Sequence, residues 1–285
     1  RKAKTLAPLS QKHTLSSSSC TMKDAAAIRS PVGAINNMGV SLLLQGSFEN
    51  AARSFQDVMS LLQHSLDHPG DESSSGSLAT RKLQVAATRL AQHSSAPHPT
   101  GTMLEAVESH DLVASLGKYA SLDALVGSAP LAIFIRHPQE HEDVTTIPWL
   151  EWDSCLLLHN YALACHMLAK NKTSRDKAPR YRAMANRSWS MAHATLVKLL
   201  TRNAGPQEKL QGDQTSGAAA TQQAWEVLPL QRLLLLVLAG LYEISTAKPQ
   251  QPRVYRTLQH VWTSVQEQGQ RLAPISGRTV VAAAA

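Results

Sequence analysis

The string His137-Pro138-Gln139-Glu140-His141 is the first place in this sequence where residue types and spacing could do chemistry. Two imidazoles could hold a zinc ion, and the glutamate between them could activate a water molecule. That geometry needs a helix, so that both rings reach one metal. Here Leu131 to Ile135 reads as extended, and Pro138 blocks a helix entering from before it, so a solvated loop is expected, with Glu140 and Glu142 solvating it. Cys155, His159 and His166 form a second constellation, on one helix face at spacings of four and seven. They could bind zinc if another element supplied a fourth ligand, but none is visible. A buried thiol behaves as a small hydrophobe, so these three are expected to be core or interface side chains, with no metal and no cofactor. The chain carries no G-x-x-x-x-G-K, no G-x-G-x-x-G and no G-x-S-x-G, and a non-catalytic protein is expected. Asn171-Lys172-Thr173 and Asn186-Arg187-Ser188 fit the glycosylation pattern, which carries weight only beside a secretory signal.

Charge narrows the partners. The formal net charge over 285 residues is +7, yet Arg1, Lys2, Lys4, Lys12 and Lys23 all precede the first acid, Asp24, and residues 24–285 carry only +2. Within that remainder Lys170, Lys172, Arg175, Lys177, Arg180, Arg182 and Arg187 face a single acid, Asp176. This segment, 170–187, reads either as a solvated loop and helix start or as a docking site for an acidic peptide or a phosphate backbone. Cys20, Cys155 and Cys165 are too few and too scattered for a disulfide framework and read as reduced thiols, which places the chain inside the cell, in cytoplasm or nucleus. The acid-free first 23 residues, with Ser16 to Ser19, keep organelle import open. The longest apolar run, Leu233 to Tyr242, is shorter than the roughly 20 residues of a membrane span, so none is expected.

The elements that must position these residues are helices. Ser30-Pro31 reads as a helix start, and Val32, Ile35, Met38, Leu42 and Leu43 recur at helical spacing up to a left-handed stop at Gly46. Ser47 is expected to cap a second helix with Phe48, Ala51, Ala52, Phe55, Val58, Met59 and Leu62 on its apolar face. Residues 67–77, 94–101 and 205–221 read as flexible insertions. Further helices are expected over 78–92, 103–118, 148–170, 181–200, 225–245 and 254–268. Leu131 to Ile135 is the one credible strand, and without an obvious partner it reads as an extended segment covering a helical core. The domain plan is a basic tail over 1–27, one helical domain over 28–271 and a tail over 272–285.

Within this all-α plan the first hairpin resembles a tetratricopeptide repeat (TPR). Met38 stands before the small Gly39, Leu42 three residues after it, Gly46 at the turn, Phe48 opening the second helix, Ala51 at the small crossing position and Phe55 four beyond. Leu163, Ala164 and Met167 with Ala185, Trp189 and Ala192 repeat the pattern, as do Leu238, Ala239 and Tyr242 with Val254, Leu258 and Val261. The resemblance implies a TPR-like α-solenoid of antiparallel hairpins with long insertions, whose groove receives a partner peptide or helix. Carried over position by position, the groove would present Asn36, Val40 and Leu43, then Tyr161, Cys165 and Leu168, and Glu243. Its mostly apolar chemistry implies an apolar partner segment, or another part of this same chain, in place of a terminal carboxylate. The function implied is a protein-protein interaction scaffold or adaptor. The alternative is an RNA- or DNA-associated protein using segment 170–187.

Overall fold

The computed structural model describes residues 22–68, 72–93, 104–128, 130–136, 149–171, 176–203, 216–245 and 251–272. Helix α1 runs Met22–Leu44, α2 Phe48–Asp67 and α3 Glu72–His93. A small unit follows: β1 Glu105–Glu108, a 3-10 turn, α4 Leu112–Gly117, α5 Leu122–Val126 and β2 Leu131–Phe134. The long helices α6 Trp149–Lys170, α7 Ala178–Asn203, α8 Ser216–Ser245 and α9 Gln251–Leu272 complete the described chain.

The α1–α2 turn follows its chemistry. Gly46 adopts φ 74°, the left-handed conformation that glycine enters without steric cost. Gly46 N–H donates to Leu43 O and Ser47 N–H to Leu42 O, which satisfies two carbonyls that α1 leaves over at its end. Gly39 then lets the helices cross closely, since a Cβ there would lie 2.6 Å from the Phe55 ring. Gly240 does the same where α8 crosses α7, with Trp189 atoms 2.5 Å from the position of a Cβ. The expected small residue at that crossing was Ala239, one position earlier.

Packing follows chain order. α1 lies on α2, α2 on α6, α6 on α7, α7 on α8 and α8 on α9, while α3 covers α1 and part of α2. Lys82 and Arg89 of α3 both pair with Asp57 of α2, at 3.0 and 2.6 Å. The unit over 104–136 lies across this stack, with β2 against α1 and α6 and with α4 and α5 against α8. Arg232, buried in α8, donates to Val113 O of α4 and fastens the two together.

Several boundaries correct the sequence expectations. α1 begins at Met22, with Pro31 inside it, because Asp24 to Ala27 ahead of the proline are compatible with helix. Ser47 makes no side-chain cap, and its hydroxyl accepts instead from Asn50 Nδ2 at 3.1 Å. α2 and α3 reach into the expected linker over 67–77, and α8 reaches back to Ser216. Residues 105–108, expected to be helical, form β1, which pairs in parallel with β2 in the register Val107 to Ile133. The expected strand therefore does have a partner. By length and composition α8 contains a stretch, Val227–Ser245 with mean hydropathy 1.7, that could cross a membrane. The apolar run counted from the sequence was shorter because Arg232 interrupts it. Leu228, Leu230 and Leu233 to Leu238 are buried within the fold, as in the core helix of a folded domain.

Candidate strand-binding groove

Asparagine is a poor helix former and a costly group to bury unpaired, so three asparagines in the apolar middles of α1 and α6 need a reason. Asn36 and Asn160 are fully buried, and Asn37 is half-buried beside them. All three bond to the backbone of β2 or of Ile135 immediately after it. Asn160 Nδ2 donates to Ile133 O at 2.7 Å, and Ile133 N–H donates to Asn160 Oδ1 at 2.9 Å. Two residues along, Asn37 Nδ2 donates to Ile135 O at 2.9 Å and Ile135 N–H donates to Asn37 Oδ1 at 2.8 Å. Asn36 Nδ2 adds a bond to Ile133 O at 3.1 Å, and its Oδ1 accepts from Asn160 Nδ2 at 2.9 Å. The ring of His159 reaches Leu131 O through Nε2 at 2.9 Å.

In a strand the N–H and C=O of one residue point to the same side, and those of its neighbours point to the other. Ile133 and Ile135 turn theirs to the asparagines, so β1 pairs with the groups between them. The side-chain amides thus stand where a third strand would be, each offering one donor and one acceptor as a peptide group does. Without them the polar backbone groups of Ile133 and Ile135 would be buried unsatisfied, at about 1–3 kcal/mol per group. The contact reads backbone, and side-chain selection comes from burial: Leu131, Ala132, Ile133 and Ile135 are all buried, while Phe134 is partly exposed.

His159 completes the electrostatics. Complete burial pushes its pKa down to about 4, against a smaller upward pull from the Leu131 carbonyl. The neutral ring donates from Nε2 to Leu131 O and accepts at Nδ1 from the buried Trp189 indole at 3.3 Å, the one tautomer that serves both neighbours. Beyond it, β2, α5, α6, α7 and α8 line a small, partly open pocket of about 50 Å³ that includes Tyr119, His159, His166, Trp189 and Glu243, room for ordered water.

The predicted groove residues fall in three places. Asn36 lies in the groove and touches its occupant. Val40 and Leu43 are buried in the core, as are Tyr161, Cys165 and Leu168. Tyr161 Oη accepts from Gln56 of α2 at 2.7 Å, so its face of α6 meets α2, and the groove face is the neighbouring one carrying His159 and Asn160. Tyr161, Cys165 and Leu168, expected to line a partner groove, are thus buried, with Tyr161 turned to α2 and away from β2. Burial pushes the Cys155, Cys165 and Tyr161 pKa values up to about 12, 11 and 12. Glu243 is half-exposed and joins α8 to α6: His166 Nε2 lies 3.1 Å from its carboxylate, and Lys170 pairs with it as well. Chiefly through His166, then Lys170, its pKa is held down at about 2.

His137, Glu140 and His141 lie outside the described residues, as do Lys172 and Arg175. Among the described residues no group of three or more His, Cys, Asp or Glu could hold a metal ion. His159 and His166 do share α6 with Cys155, but one ring turns to Leu131 and the other to Glu243. In the basic segment Lys177, Arg180, Arg182 and Arg187 are exposed, whereas Lys170 is taken by Glu243. Asn37, Asn160 and His159 are the groove residues that sequence spacing alone misses as strand binders. The available signal was a run of amide side chains inside otherwise apolar helices. The chain matches no family model, no curated protein and no solved structure.

Proposed function

We propose that this chain is a non-catalytic interaction module, a TPR-like stack of three helical hairpins whose groove holds an extended apolar segment of a partner. The observation that carries the reading is the double amide clamp, Asn37 on Ile135 and Asn160 on Ile133, because it grips a strand through its backbone and so is not tied to one sequence. Stacking of α2 on α6 and α7 on α8 supports the solenoid arrangement, since each hairpin rests on the next in chain order. In this reading β2 is the resident occupant, and a partner strand competes with it for the same amides.

The test is a titration of a labelled peptide copying residues 130–136 onto the full chain. Ile133→Asp weakens the resident strand, and the peptide is expected to bind that variant at least tenfold more tightly than the parent. Adding Asn160→Ala is expected to abolish the gain. An Ile133→Asp chain that keeps its helical circular dichroism and ignores the peptide contradicts the reading. The second reading, an RNA- or DNA-associated protein, draws on the exposed cations Lys177, Arg180, Arg182 and Arg187. It lacks a stacking platform there, because Trp189 is buried at 2% exposure and Tyr181 is half-buried.

A further inference from the structure

Helix α7 carries five cations, Arg180, Arg182, Arg187, Lys198 and Arg202, and no acid in 26 residues. Only Arg202 among them is engaged by an acid in the described structure, pairing with Glu151 at 2.9 Å. The nearest preceding acid, Asp176, is itself exposed one residue before Lys177. With 3.6 residues per turn, Arg180, Arg187, Met191 and Lys198 fall within about 40° of one another around the helix, a row of about 27 Å. Val197 lies about 100° around the helix from that row, still on the exposed side of α7. Met191 and Val197 are 49% and 41% exposed, and they are two of the four large hydrophobic side chains exposed in the described structure. The opposite face of α7, with Ala185, Trp189, Ala192, Leu196 and Leu199, is buried.

We propose that this outer face of α7 docks an acidic amphipathic helix of another protein. The arginines and Lys198 supply the charge complement, and Met191 inside that row and Val197 on the flank of the same exposed face supply apolar contacts. Carboxylates on the incoming helix reach Arg180 and Arg187, planar guanidinium groups suited to paired carboxylate bonds. The apolar pair separates this partner from a nucleic acid, whose phosphate backbone has no use for exposed Met and Val side chains. The face lies on a different helix surface from the strand groove, so the two sites fail or stand independently.

The experiment uses the full chain and two probes: a designed acidic amphipathic helix of three heptads with a Leu and Val seam, and a 20-mer oligouridine. Binding is followed by fluorescence anisotropy for the parent, for Arg180→Glu with Arg187→Glu, and for Met191→Ser with Val197→Ser. These positions are exposed, so an unchanged thermal melt is the control for folding. The acidic helix is expected to bind the parent, to lose at least tenfold in affinity on charge reversal, and to lose several-fold when Met191 and Val197 are made polar. Failure of the acidic helix to bind the parent overturns the proposal. So does binding of the oligouridine that is tighter than the helix and unaffected by the Met191 and Val197 changes, which would assign the face to nucleic acid.

Discussion

Asp153 and His159 lie six residues apart on α6 and answer pH in opposite directions. Burial is the larger influence on Asp153 and pushes its pKa up to about 6, partly offset by Arg29, whose Nε lies 3.3 Å away. Between about pH 4 and 6 the folded chain therefore holds more protons at Asp153 than the unfolded chain, and its stability contribution is lost as pH rises through that window. His159 is depressed to about 4 from 6.5, so the unfolded chain holds more protons there between those values. Its contribution is present above pH 6.5 and lost as pH falls toward 4. Each amounts to about 3 kcal/mol, and where the windows overlap they oppose. The parent's denaturant midpoint is expected to stay nearly level from pH 4 to 6. Asp153→Asn should leave a midpoint that rises with pH, and His159→Gln one that falls. Two variants with the same slope would contradict the assignment.

The helix crossings are where sequence and packing agree most closely. A methyl group at Gly240 would enter the Trp189 ring at 2.5 Å, so Gly240→Ala is expected to cost about 1–3 kcal/mol in urea unfolding, the usual penalty for overpacking a filled core. A change within 0.3 kcal/mol of the parent would mean that α7 and α8 do not meet there. The first hairpin was legible because its signals are local: Gly46 must turn, Gly39 must be small, and Phe55 fills the crossing. β1 was not legible, since Leu104, Val107, Leu112 and Leu116 suit a helix and only the last two form one. What makes residues 105–108 a strand is β2, met 26 residues later, which local periodicity does not register. The groove face of α6 escaped for a similar reason. Tyr161 and Asn160 are neighbours in the chain, and which of them faces β2 depends on where α2 docks.

At the scale of the molecule, the hairpins form a stack and the unit over 104–136 lies across it, gripped on backbone by α1 and α6 and fastened to α8 through Arg232. Charge is uneven on this body: α7 is acid-free, while Glu243 of α8 is occupied by His166 and Lys170 of α6. The all-helical plan of long elements was readable from periodicity. The occupied groove was readable only as one of two options, because a strand and the amides that hold it are about 25 and 100 residues apart in sequence. A groove that serves a partner must release its resident strand without unfolding the helices. Native-state amide hydrogen exchange on the parent chain tests that requirement directly. The Ile133 and Ile135 amides are expected to exchange through a local opening at least tenfold more often than the mid-helix amides of α6. Exchange of Ile133 and Ile135 only at the rate of global unfolding would show β2 to be a permanent part of the core and would contradict the strand-binding account.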